Sequence, residues 1–223
     1  MKQLVLDIRP DAPPTLDNFV VGSNDELVAA LDAIGPHAAH LYLWGSAGSG
    51  RSHLLRAAVA GARAAGRPAL YVPAAEAGDE LPQTGDALLA VDDVDALDAA
   101  AQVALFNAFN RARGNGQTLL LAGATAPLQL AVREDLRTRV GQCLVYEVRP
   151  LDDEARAAIL RTLAERRGLP LADEVTDFLL RHGRRDLPSL LAVLDALDTA
   201  SLERKRAVTL PLLREMIQSG LDI

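Results

Sequence analysis

The chain has 223 residues, 49% of them hydrophobic and 24% charged, with a formal net charge of −7. This length suffices for one large domain, or for a domain with a small companion, and the composition is that of an ordinary globular protein. The acidic balance argues against broad nucleic-acid binding, which needs an extended basic surface, but leaves room for a local basic patch.

Residues 1–14 differ from the rest. Gln3-Leu4-Val5-Leu6-Asp7-Ile8 alternates in its apolar residues, and Pro10, Pro13 and Pro14 then stop any helix and favour an extended tether. Local pattern leaves two readings open: a short edge strand lying on the domain, or an exposed peptide offered to a partner. The segment TLDNFVVGSN at 15–24 leads into a helix over roughly 25–31, with Ser23 and Asn24 as natural caps. Phe19, Val20 and Val21 stand just ahead of the most informative stretch, where they can pack against a nucleotide base or simply join the core.

That stretch is residues 40–55, HLYLWGSAGSGRSHLL. Leu41, Tyr42, Leu43 and Trp44 read as a buried strand. Gly45-Ser46-Ala47-Gly48-Ser49-Gly50-Arg51-Ser52 follows at once, and an apolar helix begins after it. This is phosphate-loop spacing in its strand-loop-helix context. The glycines let backbone N–H groups surround phosphate oxygens, and the positive end of the following helix acts at the same spot. The candidate cradle therefore runs from Gly45 through Ser52 to His53, with the Ser52 hydroxyl placed to hold Mg²⁺. Arg51 stands where the pattern expects lysine, a planar fork replacing a compact ammonium. Phosphate binding should survive that change better than catalysis.

A helix over 54–65 is closed by Gly66 and Pro68, and Ala69, Leu70, Tyr71 and Val72 form a second strand. Residues 73–85 are irregular and acidic. The third strand, 87–91, ends in Asp92 and Asp93, the arrangement in which one carboxylate helps to hold Mg²⁺ and a second orients an attacking water. A helix cap after the strand is the plainer alternative, with Asp95 serving the same way. An amphipathic helix over 98–111, a fourth strand at 118–122, a helix or two short turns at 127–139 and a fifth strand at 143–147 follow. Strands separated by helices imply a parallel sheet covered on both faces. Beyond Pro150 the pattern is all helical, over about 152–167, 171–181, 186–201 and 210–219. The organisation expected is a tether at 1–14, an α/β core at 15–150 and a helical lid at 151–223.

Cys143, the single cysteine, lies in the apolar run CLVY, where a buried thiol is expected rather than a nucleophile. His37, His40, His53 and His182 show no metal-ligand spacing. No secretory segment or membrane-spanning apolar stretch is visible, so a cytoplasmic location without membrane contact is expected.

With these residues in hand, the chain resembles the AAA+ ATPases and, within them, the DnaA-like group. LDNFVVGSND, the phosphate loop, LLAVDD and LRTRVGQCLVYEVRPLDDEARAAIL occur in the group's order over nearly the whole chain. The resemblance implies an α/β core with a five-stranded parallel sheet in the order 5-1-4-3-2 and a C-terminal helical lid. It also implies ADP or ATP with Mg²⁺ as ligands, with Phe19, Val20 and Val21 near the adenine. No helix-turn-helix domain is expected after the lid and no assembly domain before the core. The chain is thus similar to the regulatory inactivators of DnaA rather than to the initiator itself. In that group Gln3, Leu4 and Leu6 match a peptide that binds the DNA polymerase III sliding clamp (the beta subunit), which favours the exposed-peptide reading of the N-terminus. DNA would be contacted mainly through the clamp, and homo-oligomers are possible. Arg139 occupies the position of an arginine finger acting in trans on a neighbour's nucleotide, and Arg137 is its rival. Asp93 would be the second catalytic group.

Three departures bear on this chain's own hydrolysis. They are Arg51 in the loop, Ala124 (followed by Thr125) where the group carries an acidic sensor, and Pro188 where it carries a lid arginine. Arg184 and Arg185 lie about one turn before Pro188. Nucleotide binding, ADP above all, with weak or no intrinsic turnover is the expectation. The function implied is stimulation of hydrolysis on DnaA, so that re-initiation of replication is prevented. The alternative is a self-sufficient ATPase or loader that remodels a replication complex.

Overall fold

The computed structural model describes residues 13–184, 187–204, 206–221 and 223. Two compact units are built on Ala12–Pro150 and Leu151–Ile223. The first holds strands β1 (Leu41–Trp44), β2 (Ala69–Pro73), β3 (Leu88–Asp92), β4 (Thr118–Gly123) and β5 (Leu144–Glu147), and helices α1 (Asp25–Asp32), α2 (Arg51–Ala64), α3 (Ala99–Asn115) and α4 (Glu134–Val140). All strand pairs are parallel, in the order β2-β3-β4-β1-β5, which is the expected order read from the other edge.

The apolar runs of the sequence make sense in this sheet. β3 and β4 are buried along their whole length, and successive residues point to opposite faces. Leu89, Val91, Leu119 and Leu121 pack with Leu105, Ala108 and Phe109 of α3 on one face. Leu88, Ala90, Leu120 and Ala122 pack with Leu54, Leu55 and Ala58 of α2 and with Leu27 and Leu31 of α1 on the other. Arg67 stitches the amino ends of the central strands: its guanidinium donates to the carbonyls of Asp86, Ile34 and Ala87 and to the Thr118 hydroxyl.

The second unit consists of α5 (Asp153–Arg166), α6 (Asp173–His182), α7 (Leu187–Arg204) and α8 (Leu210–Gln218), with a parallel bridge between Leu171 and Val208. Its own core contains Leu160, Val175, Leu179, Leu194, Leu197 and Leu213. Asp152 caps α5 by accepting from the Ala155 N–H. Buried Arg156 pairs with Asp153 and donates to the Leu151 carbonyl. Among the described residues no helix is long and apolar enough to cross a membrane.

Local details depart from the expected boundaries. α2 begins at Arg51, three residues earlier than its apolar run, so Arg51 and Ser52 belong to its first turn. The stretch 127–139 resolves into a 3-10 turn at Pro127–Gln129 and the seven residues of α4. Asn24 stands at the cap position of α1 without capping it by its side chain. That side chain instead donates to the carbonyls of Val21 and Arg149 and accepts from the Arg149 N–H. A buried amide so engaged ties the segment before α1 to the chain that leaves β5.

Candidate nucleotide site and a separate arginine

Parallel strands put all their carboxyl ends on one edge of the sheet, and most of the expected site residues gather there. Gly45, Ser46, Ala47, Gly48 and Ser49 link β1 to α2, and Gly50 is the residue before the helix. Gly48 and Gly50 have φ of +77° and +100°, which L side chains rarely adopt. A Cβ on Gly45 would lie 2.6 Å from the Val148 carbonyl oxygen. The first-turn amides of α2 (Arg51, Ser52, His53) have no intrahelical acceptor, and no side chain caps them. The buried Ser49 Oγ and the buried Nη1 of Arg51 also have no hydrogen-bond partner. Unpaired buried donors at the positive end of a helix are the features that fit an anionic phosphate chain.

Arg51 does not project freely. Its Nη2 lies 3.3 Å from Asp93 Oδ1, and its side chain is only 12% exposed. Asp93 has left-handed backbone (φ 51°), which turns the chain sharply after β3. Partial burial, and then the neighbouring Asp92 charge, holds the Asp93 carboxyl above its ordinary range against the pull of Arg51. Asp92 is 2% exposed. Its Oδ1 accepts from the Asp93 N–H at 3.0 Å and its Oδ2 from the Tyr71 hydroxyl at 2.6 Å. Each carboxylate oxygen keeps a second lone pair, so Asp92 can still act as an oxygen donor to a hard cation. Among the described residues there is no cluster of three or more metal-binding side chains, so phosphate and water oxygens would complete a Mg²⁺ shell.

Phe19 packs beneath the loop: a Cβ on Gly50 would stand 2.8 Å from its ring. Its ring also meets that of His53, 5.8 Å away, and His53 Nε2 lies 3.0 Å from the Thr15 carbonyl. Phe19, Val20 and Val21 are half-buried, and of the three Phe19 is the one seen against the loop. At the end of β4, the Ala124 N–H donates to Asp95 Oδ1, and the Tyr42 hydroxyl donates to the Thr125 carbonyl. An acidic group thus reaches this position from the loop after β3, a placement that the local sequence around Ala124 does not reveal. Asp98, not Asp93 or Asp95, caps α3 by its side chain.

Arg139 lies elsewhere. The Leu144 N–H bonds to the His40 carbonyl where β5 and β1 begin, and Arg139 and His40 line one recess there. That is the amino edge of the sheet, and a four-residue strand sets it roughly 13 Å from the carboxyl edge. Arg139 Nη2 donates to Asn110 Oδ1 at 3.0 Å, and its guanidinium lies 5.6 Å from the centre of the Phe106 ring. The Arg137 side chain makes no hydrogen bond or ion pair among the described residues. Cys143 is half-buried beside the Arg139 carbonyl, and burial pushes its thiol up to about 12, so it stays protonated. Gln3, Leu4, Leu6 and Arg185 lie outside the described residues. Arg184 is exposed, and Pro188 falls within α7.

The loop predicts one measurable change. Arg51→Ala should weaken phosphate ligands by about 10-fold to 100-fold, the loss of one charge-assisted contact. Isothermal titration with ADP and with ATP measures this, and unchanged affinity for both would remove Arg51 from the cradle.

The model for the Hda lid domain matches residues 153–217. Domain III of the Thermotoga maritima replication initiation protein DnaA is similar over 96% of this chain and 99% of its own, with 20% identity and a TM-score of 0.77. AMPPCP-bound DnaA from Aquifex aeolicus is similar over 86% of this chain and 68% of its own, with 25% identity and a TM-score of 0.70. A RuvB mutant from Thermotoga maritima shares the fold at 16% identity, over 95% of this chain and 76% of its own, with a TM-score of 0.69. The chain thus matches the Hda lid domain over residues 153–217 and shares the fold of DnaA domain III, so it is similar to proteins of the Hda and DnaA kind.

Proposed function

We propose that this protein is a DnaA-related regulator that stimulates hydrolysis of DnaA-bound ATP while held at the DNA-loaded sliding clamp. The Hda lid and the DnaA-like core support the coarser part, a DnaA-related regulator. One observation supports the finer part. The candidate cradle occupies the carboxyl edge of the sheet and Arg139 the amino edge, so this arginine is out of reach of its own loop and suits a neighbour's nucleotide. A cation presented in trans neutralises charge that develops on the transferred phosphoryl group.

The chain's own ligand is ADP in this reading. The cradle offers backbone donors and Arg51 to the α- and β-phosphates, and Ser52 and Asp92 would hold Mg²⁺, which neutralises phosphate charge when bound. Ala124 puts no polar side chain at the end of β4, so γ-phosphate sensing is poor. ADP should therefore bind at least as well as ATP, and a clear preference for ATP in titration would count against the assignment. The intact pair Asp92 and Asp93, with the Asp93 carboxyl held above its ordinary range by partial burial, favours the second reading, a self-sufficient ATPase or loader. Turnover of the purified protein alone, then with ATP-loaded DnaA and clamp on DNA, separates the two. The regulator shows hydrolysis only in the complete mixture.

Gln3, Leu4 and Leu6 serve as the clamp contact. In an extended peptide residues two apart share one side, so Leu4 and Leu6 would enter one groove together, and burying two leucines supplies roughly 3–6 kcal/mol before ordering costs, enough for a modest affinity. Replacing Gln3, Leu4 and Leu6 together by alanine should abolish clamp binding in a surface-binding assay without changing the melting temperature. Lower stability with clamp binding retained would instead mark the segment as an edge strand.

A further inference from the structure

The amino edge of the sheet carries a second cation beside Arg139. A recess of about 240 Å³ is lined by His40, Phe109, Arg113, Arg139, Gln142 and Cys143, together with two alanines, and no carboxylate lines it. Arg113 is three residues beyond Asn110 and seven beyond Phe106 in α3, so it continues the helix face that holds Arg139. Among the described residues the Arg113 side chain makes no hydrogen bond or ion pair, and the residue is exposed. His40 Nδ1 accepts from the Leu119 N–H at 3.2 Å, which leaves the ring proton on Nε2. Burial and the Arg113 charge both favour the neutral ring, so His40 offers the recess an uncharged N–H donor. Two guanidinium groups, an imidazole N–H and an amide therefore line a space that fits one oxyanion and is small for a whole nucleotide.

We propose that this recess is an oxyanion subsite in which Arg113 acts beside Arg139 as a second cationic contact to the terminal phosphate of a nucleotide carried by the neighbouring protein. The inference rests on the reading of Arg139 given above. Two cations on one face of a small recess share the charge of a dianionic phosphate. Removing the unpaired one leaves Asn110 and Phe106 still holding the other.

Two measurements test it. In the first, inorganic phosphate is titrated into the protein alone and the His40 ring signals are followed by NMR. Arg113→Ala should weaken the phosphate-dependent shift about 10-fold or more, and Arg113→Lys should restore part of it. A shift unchanged in Arg113→Ala, or absent from the unaltered protein, would overturn the subsite. In the second, stimulation of hydrolysis on ATP-loaded DnaA with clamp on DNA is measured at saturating concentrations of this protein. Arg113→Ala should lower the maximal rate about 10-fold or more, with a half-saturating concentration near that of the unaltered protein. A raised half-saturating concentration with an unchanged maximal rate would overturn the proposal, because Arg113 would then meet an acidic side chain of the partner. Loss of stimulation in Arg139→Ala but not in Arg113→Ala overturns the subsite alone. Indifference to both overturns the trans reading on which it depends.

Discussion

Arg139→Ala should lower stimulation of DnaA-bound ATP hydrolysis by about 10³-fold to 10⁵-fold, the range for a finger supplied in trans. Nucleotide binding to this chain, clamp binding and melting temperature should stay nearly unchanged. The structure gives two reasons for that separation. Arg139 is a half-buried residue of α4 that faces α3, and its side-chain contacts are one hydrogen bond to Asn110 and one aromatic face, Phe106. Exposed contacts of this kind contribute little to folding, so their loss costs at most about 1 kcal/mol. Nor does Arg139 touch the phosphate loop, which lies at the opposite edge of the sheet. Arg137→Ala is the informative companion, because Arg137 has the same charge two residues away and its side chain makes no hydrogen bond or ion pair among the described residues. If Arg137 is required and Arg139 is not, the role moves by two residues and the trans mechanism stands. If both leave stimulation intact but lower this protein's own turnover, the self-sufficient ATPase replaces the regulator.

The fold was legible because a parallel sheet covered on both faces leaves a coarse signature. Its strands are short, apolar throughout and separated by helices, and each of the five expected strands matches an observed one to within a residue. Sheet order was not contained in that pattern. It came with the resemblance to DnaA-like proteins, since any order of five parallel strands buries similar surface. The glycine turn between β1 and α2 was legible for a local reason: a positive φ at Gly48 and Gly50 is a demand on single residues. Contacts made by side chains over long sequence separations were not legible. Asn24 looks like a helix cap, yet it bonds to Arg149, 125 residues away. Tyr71 reads as one more apolar strand residue, yet its hydroxyl engages Asp92 across the β2–β3 pair. Asp95 supplies an acidic oxygen to the Ala124 backbone from 29 residues away. Phe106 and Asn110 gave no signal, because on a helix with a broad apolar face they look like ordinary packing and surface residues. Asn24 and Asp95 were misread in the same way: a polar group was assigned its nearest backbone partner, whereas tertiary structure offered a better one.

Gly50→Val should remove nucleotide binding altogether and also lower stability by about 1–3 kcal/mol. Two independent demands meet at this residue. Its φ of +100° is strained for any side chain and most of all for a β-branched one. A Cβ there would also stand 2.8 Å from Phe19 Cε2, so the ring must leave its place against His53 or the loop must rise. Either movement displaces the first-turn amides of α2 from the concavity that phosphate oxygens need, and loose donors forfeit the preorganisation that makes the site. Gly61→Ala provides the contrast within the same helix. Nothing lies within 4 Å of a Cβ there, so the substitution only improves helix propensity and should add about 0.5–1 kcal/mol. Thermal melts with and without ADP distinguish these effects. The unaltered protein and Gly61→Ala should both melt at higher temperature with ADP present, as any ligand that favours the folded state requires. Gly50→Val should melt lower and show no such rise. A full ADP-dependent rise in Gly50→Val would mean that the glycine loop is not the phosphate cradle.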